Sequence, residues 1–258
     1  MDAIVTAGGI PDPEDPLYAY TQGGPKALLD IAGKPMVQWV LDALDEARSV
    51  ERVVVVALPS GSGLSCQKAE VFMPDQGGML QNIRAGMKKV IELNPQAHRM
   101  LTVSSDIPAI TGEMVDWLVE KAEETVHDIY YTVITRQVME ARYPESKRSY
   151  THLKDAEVCG GDMNAVHARM VTGNEEIWER ILAARKNVFK QASLIGFGTL
   201  ALLALRRLKL ESGIKRVSER LDITGRVIFS PYAEIGMDID KPHQLEILRK
   251  DLAQKVQA

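Results

Sequence analysis

Three short segments of this 258-residue chain place carboxylates, a lysine and glycines in an order that suits phosphate and metal chemistry. Ser104-Ser105-Asp106-Ile107-Pro108 puts a carboxylate directly after an apolar run. Such a charge is costly to desolvate unless a cation joins it. A magnesium ligand meets that condition, since Mg2+ takes one or two carboxylates plus phosphate oxygens; a helix N-cap or a turn aspartate is the plainer alternative. Gly236-Met237-Asp238-Ile239-Asp240-Lys241-Pro242 carries two aspartates at i, i+2, and on an extended segment these point the same way. One or both would complete a metal site, or the segment merely caps the C-terminal helix. Thr6-Ala7-Gly8-Gly9, continuing to Pro25-Lys26, offers backbone N–H groups without side chains in the way and a point charge for a triphosphate. It is neither G-x-G-x-x-G nor a Walker A loop, and a glycine pair after a strand is most often only a turn.

The elements that must position these segments alternate. Residues 2–6 (DAIVT), 52–58 (RVVVVAL), 100–104 (MLTVS) and 128–135 (DIYYTVIT) read as strands. The β-branched runs have the pattern of strands covered on both faces. Residues 35–48, 79–93 and 111–125 read as helices between them. This rhythm predicts a mostly parallel sheet flanked by helices, with ligands outside the carboxyl ends of its strands, where all three segments fall. Beyond residue 150 the pattern loosens. A strand is expected over 151–159, helices over 174–187 and about 190–210, a strand over 226–230 and a last helix after Pro242.

Composition narrows the class. Hydrophobic residues make up 45% and charged residues 26%, ordinary for a globular chain. A net charge of −4 gives no electrostatic reason to expect nucleic-acid binding. Cys66 and Cys159 lie far apart and match neither a zinc site nor a disulfide framework. MDAIVTAGG lacks the basic and apolar regions of a signal peptide, so a cytoplasmic location is expected. The apolar stretch 192–205 (ASLIGFGTLALLAL) is shorter than the roughly 20 residues that span a bilayer. A buried helix is expected there; a membrane-surface helix or the wall of a site for a greasy acceptor is the alternative.

Taken together, residues 2–9 (DAIVTAGG), 25–36 (PKALLDIAGKPM), 101–108 (LTVSSDIP) and 236–245 (GMDIDKPHQL) resemble the nucleotidyltransferase superfamily. Within it they are most similar to the molybdenum-cofactor nucleotidyltransferase-like (MobA-like) NTP transferases. The resemblance covers most of residues 1–125 and 226–248. It implies a three-layer α/β/α sandwich with a mostly parallel mixed sheet, nucleotide-diphospho-sugar transferase-like and Rossmann-like. It implies one domain over 1–258, with 1–135 and 226–258 as the nucleotide- and metal-binding core and 136–225 as an acceptor-binding elaboration. It also implies roles. Ala7, Gly8 and Gly9 contact the nucleotide, Lys26 binds its phosphates, Asn82 lies near the base or ribose, and Gly77 and Gly78 bound the base pocket. Asp106 and Asp238 hold Mg2+, with Asp240 a further ligand, and an NTP is the co-substrate. One departure stands out: the loop AGGIPDPEDPLYAYTQGGPK is long and acidic and has no arginine before Lys26. Gln22 or the Gly23-Gly24 backbone is a substitute, or the loop acts as a lid; Pro11, Pro13 and Pro16 argue for an ordered loop.

The expected reaction is in-line attack by an acceptor oxygen on the α-phosphorus of the NTP, with pyrophosphate leaving. No general base is evident, which favours a small phosphorylated acceptor whose nucleophile is already ionised. Arg148 is expected to bind its phosphate within the basic group Arg142, Lys147 and Arg148, and Gly160, Gly161 and Asn164 to shape its pocket. A solvated hairpin is the plainer reading of both features, and His152 and His167 are expected to be structural or exposed. A glycosyltransferase using a nucleotide-sugar donor and a non-catalytic nucleotide-binding module are the competing classes. No membrane partner is expected, and a homodimer stays open.

Overall fold

The computed structural model describes residues 1–58, 63–172, 178 and 194–257. The expected helix over 174–187 lies outside them apart from Trp178. The main sheet contains β1 (Asp2–Thr6), β4 (Val53–Val56), β5 (Ala69–Met73), β6 (Arg99–Ser104), β7 (Ile129–Thr135), β8 (Thr151–His152), β9 (Glu157–Gly160), β10 (Met163–His167) and β11 (Gly225–Phe229). A small hairpin pairs β2 (Asp30–Ile31) with β3 (Lys34–Pro35). The helices are α1 (Tyr18–Thr21), α2 (Met36–Glu46), α3 (Met79–Leu93), α4 (Gly112–Glu123), α5 (Arg136–Arg142), α6 (Arg169–Thr172), α7 (Phe197–Ala204), α8 (Leu210–Leu221) and α9 (Pro242–Gln257).

Strands β5, β4, β1 and β6 lie side by side and parallel. β10 then runs antiparallel between β6 and β7, and β11 pairs with β7 in parallel. β9 is also antiparallel to β7, meeting Val133 to Thr135 where β10 meets Ile129 and Tyr130. Since β11 pairs with Ile129 to Val133, β9 and β10 must share the other edge of β7. They are two pieces of one reversed strand, broken at Gly160-Gly161-Asp162. This is the mixed, mostly parallel sheet expected from the sequence.

Side-chain alternation sorts the helices into outer layers. Ala3 and Val5 of β1 face one side, with Val53, Val55, Leu101 and Val103, and pack on Val37, Val40 and Leu41 of α2 and Val115 and Leu118 of α4. Ile4 faces the other side with Val54, Val56 and Met100, under Met87 and Val90 of α3. A third cluster joins α5 and α9 near Ile134, Cys159 and Met237. Pro242 opens α9, where its missing N–H costs nothing. α3 follows Gly77 (φ +91°) and Gly78 (φ +143°), a left-handed entry that favours glycine.

Several elements differ from expectation. The strand expected over 151–159 is two strands, because Leu153 N donates to Ala156 O (2.9 Å) and turns the chain. Of the helix expected over about 190–210, residues 190–193 lie outside the described residues; within the rest stands α7, with Arg206 (φ +54°) breaking the chain before α8 begins. β5, β10 and α5 were not expected. β5 is an edge strand and only partly buried, so its hydrophobic signal is weak.

Gly86 lets α3 settle directly on β1: a Cβ there would lie 2.5 Å from Ile4 Cγ2 and 3.2 Å from Val56 Cγ2. Gly198 in α7 has nothing within 4 Å of the equivalent point. Alanine gains up to about 1 kcal/mol of helix propensity over glycine, whereas overpacking costs about 1–3 kcal/mol. Gly86→Ala is therefore expected to lower the urea midpoint and Gly198→Ala to hold or raise it. Equal shifts in one denaturation series would contradict this account of the α3–β1 contact.

Candidate active site

The site lies at the carboxyl ends of β1 and β6, whose last residues, Thr6 and Ser104, are register partners. Ala7 N continues the ladder to Val56 O (2.9 Å), and Ser105 N donates to Thr6 O (3.1 Å). Gly8 comes next and is closely packed: a Cβ would lie 2.8 Å from Asn82 Nδ2 and 2.9 Å from Ala57 Cβ. Asn82, buried on the first turn of α3, donates to Asp75 Oδ1 (2.8 Å) and accepts from Gln76 N (2.7 Å). One amide thus ties the segment before Gly77 and Gly78 to α3, in close packing with Gly8 of the glycine loop. Gly9 O accepts from Lys26 N (2.8 Å), which closes the long loop between them.

That loop is ordered by its aspartates as well as its prolines. Asp12 Oδ1 accepts from Glu14 N and Asp15 N, and Asp15 Oδ1 from Leu17 N. Leu17 is buried and anchors the loop. Gln22 takes a left-handed conformation (φ 49°) at the end of α1.

Lys26 opens a short 3-10 turn after Pro25. Its Nζ lies 2.8 Å from Asp106 Oδ2 and 2.8 Å from Asp240 Oδ1. Burial would lower its pKa, but the two carboxylates win and hold the ammonium above its usual range. Asp106 also accepts from Ser104 Oγ (2.5 Å), and its backbone O accepts from Ile239 N (3.1 Å), which stitches the DIP turn to the late aspartates. Asp240 N donates to Gln244 Oε1 (2.9 Å) on α9. Asp238 is buried and paired with Arg148. Asp106, Asp238 and Asp240 each bring one oxygen within 4.8 Å of the others.

Asp162 enters from the break between β9 and β10. Its N donates to Ile235 O (2.9 Å), and its O accepts from Ser104 N (2.8 Å). Burial, with the charges of Asp106 and Asp240, pushes its carboxyl up to about 7. At an effective dielectric near 20, like charges about 5 Å apart repel by roughly 3 kcal/mol. A cluster with this much negative charge needs cations, and Lys26 and Arg148 supply two. The oxygen-only donor set fits a hard divalent ion such as Mg2+, so these aspartates can hold a divalent metal.

The residues expected on the acceptor side are placed as follows. Gly160 lies against Tyr131, whose hydroxyl leaves no room for a Cβ, and Gly161 lies 3.1 Å from Ile235 and Thr132 by the same measure. Asn164 Oδ1 accepts from Thr132 N (2.8 Å), and its Nδ2 donates to Gly161 O (3.0 Å). Both ends of its amide therefore bridge the strand break. The basic group is divided: Arg148 joins the aspartates, whereas Arg142 pairs with Glu234 and, through both oxygens, with Asp251 of α9. His152 pairs with Glu157 at the β8–β9 hairpin. Sequence reasoning did not single out Asp75 or Asp162. Each is an isolated aspartate beside a glycine pair, a pattern shared with ordinary turns.

The family model for the MobA-like NTP transferase domain matches residues 19–224. A hypothetical transferase structure from Thermus thermophilus superposes with a TM-score of 0.81 and 31% identity, covering 95% of this chain and 98% of that one. A structure of CMP:2-keto-3-deoxy-manno-octonic acid synthetase complexed with CTP shares the fold, with a TM-score of 0.60 at 18% identity over 99% and 98% of the two chains. A 3-deoxy-manno-octulosonate cytidylyltransferase from Marinobacter nauticus is 32% identical over 111 residues, 42% of this chain and 41% of that protein. This chain thus matches less than half the length of that curated relative. With its mixed sheet, helices on both faces and a matched segment running through most of its length, the chain belongs to the MobA-like NTP transferase family.

Proposed function

We propose that this chain transfers an NMP group from a nucleoside triphosphate to a small phosphorylated acceptor, with release of pyrophosphate. The observation that carries the reading is Lys26 bridging Asp106 and Asp240 at 2.8 Å each, beside Asp238 and below the glycine loop. Ala7, Gly8 and Gly9 would present backbone groups to the nucleotide, with Asn82, Gly77 and Gly78 shaping the base side. Asp106, Asp238 and Asp240 would hold Mg2+, which when bound offsets charge on phosphate oxygens. Lys26 would face the α-phosphoryl and stabilise the charge that builds there. Residues 136–225 would supply the acceptor side, with Arg148 on the acceptor phosphate and Gly160, Gly161 and Asn164 fixing the turn beneath it. Positioning and electrostatics carry phosphoryl transfer, and an ionised phosphate nucleophile needs no base.

Lys26→Ala and Asp106→Ala are each expected to lower kcat by at least about 100-fold, the scale of a lost transition-state charge partner. The assay is pyrophosphate release from four NTPs against phosphorylated metabolites, with and without Mg2+. Near-normal turnover in either variant removes its assigned role. Release of a nucleoside diphosphate from sugar nucleotides instead would identify a glycosyltransferase, and tight NTP binding without turnover a binding module.

Asp162 gives a pH prediction for the metal-free protein. Its carboxyl titrates at about 7 when folded and near 3.9 when unfolded. The folded chain therefore binds the extra proton, and this stability is full below about 4 and lost as pH rises through 7. In EDTA, the wild-type thermal midpoint is expected to fall between pH 5 and 8 more steeply than that of Asp162→Asn. Parallel profiles would show that burial and the neighbouring carboxylates do not raise the Asp162 carboxyl.

A further inference from the structure

Behind the proposed acceptor position lies a cavity of about 500 Å3, within the ~300–1,000 Å3 range of small-molecule sites. One wall is the sheet face at Tyr131, Val158 and Gly160; the other is α7 and α8, with Leu203, Ile214 and Val217. α7 (FGTLALLA) is apolar all round, yet Thr199 is its one buried residue. Leu200, Leu202 and Leu203 are only half-buried and Phe197 is 61% exposed. The fold leaves more hydrocarbon uncovered here than an ordinary surface helix does.

The cavity reaches the break in the reversed strand. Tyr131, Cys159 and Gly160 line it, and Asp162 of the charged cluster follows Gly160 by two residues. Buried polar atoms at and beside Arg148 also lack protein partners. Arg148 Nε, Ser146 Oγ and Tyr150 Oη are buried without a hydrogen-bond partner, and Ser146 is 1% exposed. Buried polar atoms are rarely left unpaired, so three such atoms within five residues mark a place for a polar ligand group.

We infer that the acceptor is amphipathic, with an anionic head at Arg148 and a hydrocarbon portion in the cavity between the sheet and α7–α8. This rests on the nucleotidyltransferase reading for the head's role as nucleophile; binding of the hydrocarbon stands apart from it. A polar sugar phosphate would leave the leucine-lined wall uncovered.

The test is calorimetric titration of the full chain, in MgCl2, with n-butyl, n-hexyl and n-octyl phosphate. Affinity is expected to rise with chain length, by up to roughly fourfold per buried methylene. Val217→Asp is expected to abolish the dependence, and Val217→Trp, which fills the cavity without adding charge, to cap it at the shorter chains. Unchanged NTP binding identifies the variants that remain folded. Affinity independent of chain length in the wild type overturns the inference, as does an undiminished dependence in both folded variants. Pyrophosphate release is read separately. Chain-length-dependent binding with no release from any NTP keeps the hydrophobic subsite and discards the transfer reading. Release with short polar phosphates alone, and no gain from longer chains, does the reverse.

Discussion

The shared ion pair of Lys26 with Asp106 and Asp240 governs how this chain is put together. Three carboxylates within 4.8 Å of one another would force the strand ends apart if left alone. Lys26 reaches across from the glycine loop and spans two of them, and Arg148 takes the third. Residues 26, 106, 148 and 238–240 are thereby held at one point although they are spread over most of the sequence. The sheet order makes this geometrically cheap. β1 and β6 are neighbours, so the glycine loop and the DIP turn leave the sheet side by side. The late aspartates join them through the backbone bond from Ile239 to Asp106.

Such an arrangement favours ligands that bring positive charge to the carboxylates and negative charge to Lys26. A metal-bound triphosphate does both at once. Asp162 is raised first by its burial and then by the charges of Asp106 and Asp240. Holding a proton there also lowers the cluster's negative charge when no further cation is near.

Much of this was legible in the sequence because the signals were local. Two aspartates at i, i+2 in Asp238-Ile239-Asp240, a carboxylate ending an apolar run, and β-branched runs such as Val53 to Val56 need only a few residues to be read. What could not be read depends on partners far away in the chain. Asp162 resembles any turn aspartate until Ser104 and Ile235 fix its backbone beside Asp106. Arg142 and Arg148 look like one basic patch, and only the position of α9 sends the first to Asp251 and leaves the second with Asp238. β10 escaped because Met163 to His167 mixes polar and apolar residues without a clear period. Its pairing follows from the break at Gly160-Gly161-Asp162, where Asn164 replaces the missing backbone bonds.

The two halves of the site differ in how firmly they are built. Around the glycine loop and α3, Gly8 and Gly86 admit no extra atom, and Asn82 uses both ends of its amide. Close packing of this kind leaves little scope for variation. On the other side, α7 and α8 enclose a cavity, half-buried leucines face it, and polar atoms of Ser146, Arg148 and Tyr150 lack partners. Unfilled apolar volume and unpaired buried polar atoms both cost stability. Under the proposed reading, an occupant that supplies the missing contacts beside the tightly packed glycine-loop half is polar at one end and apolar at the other.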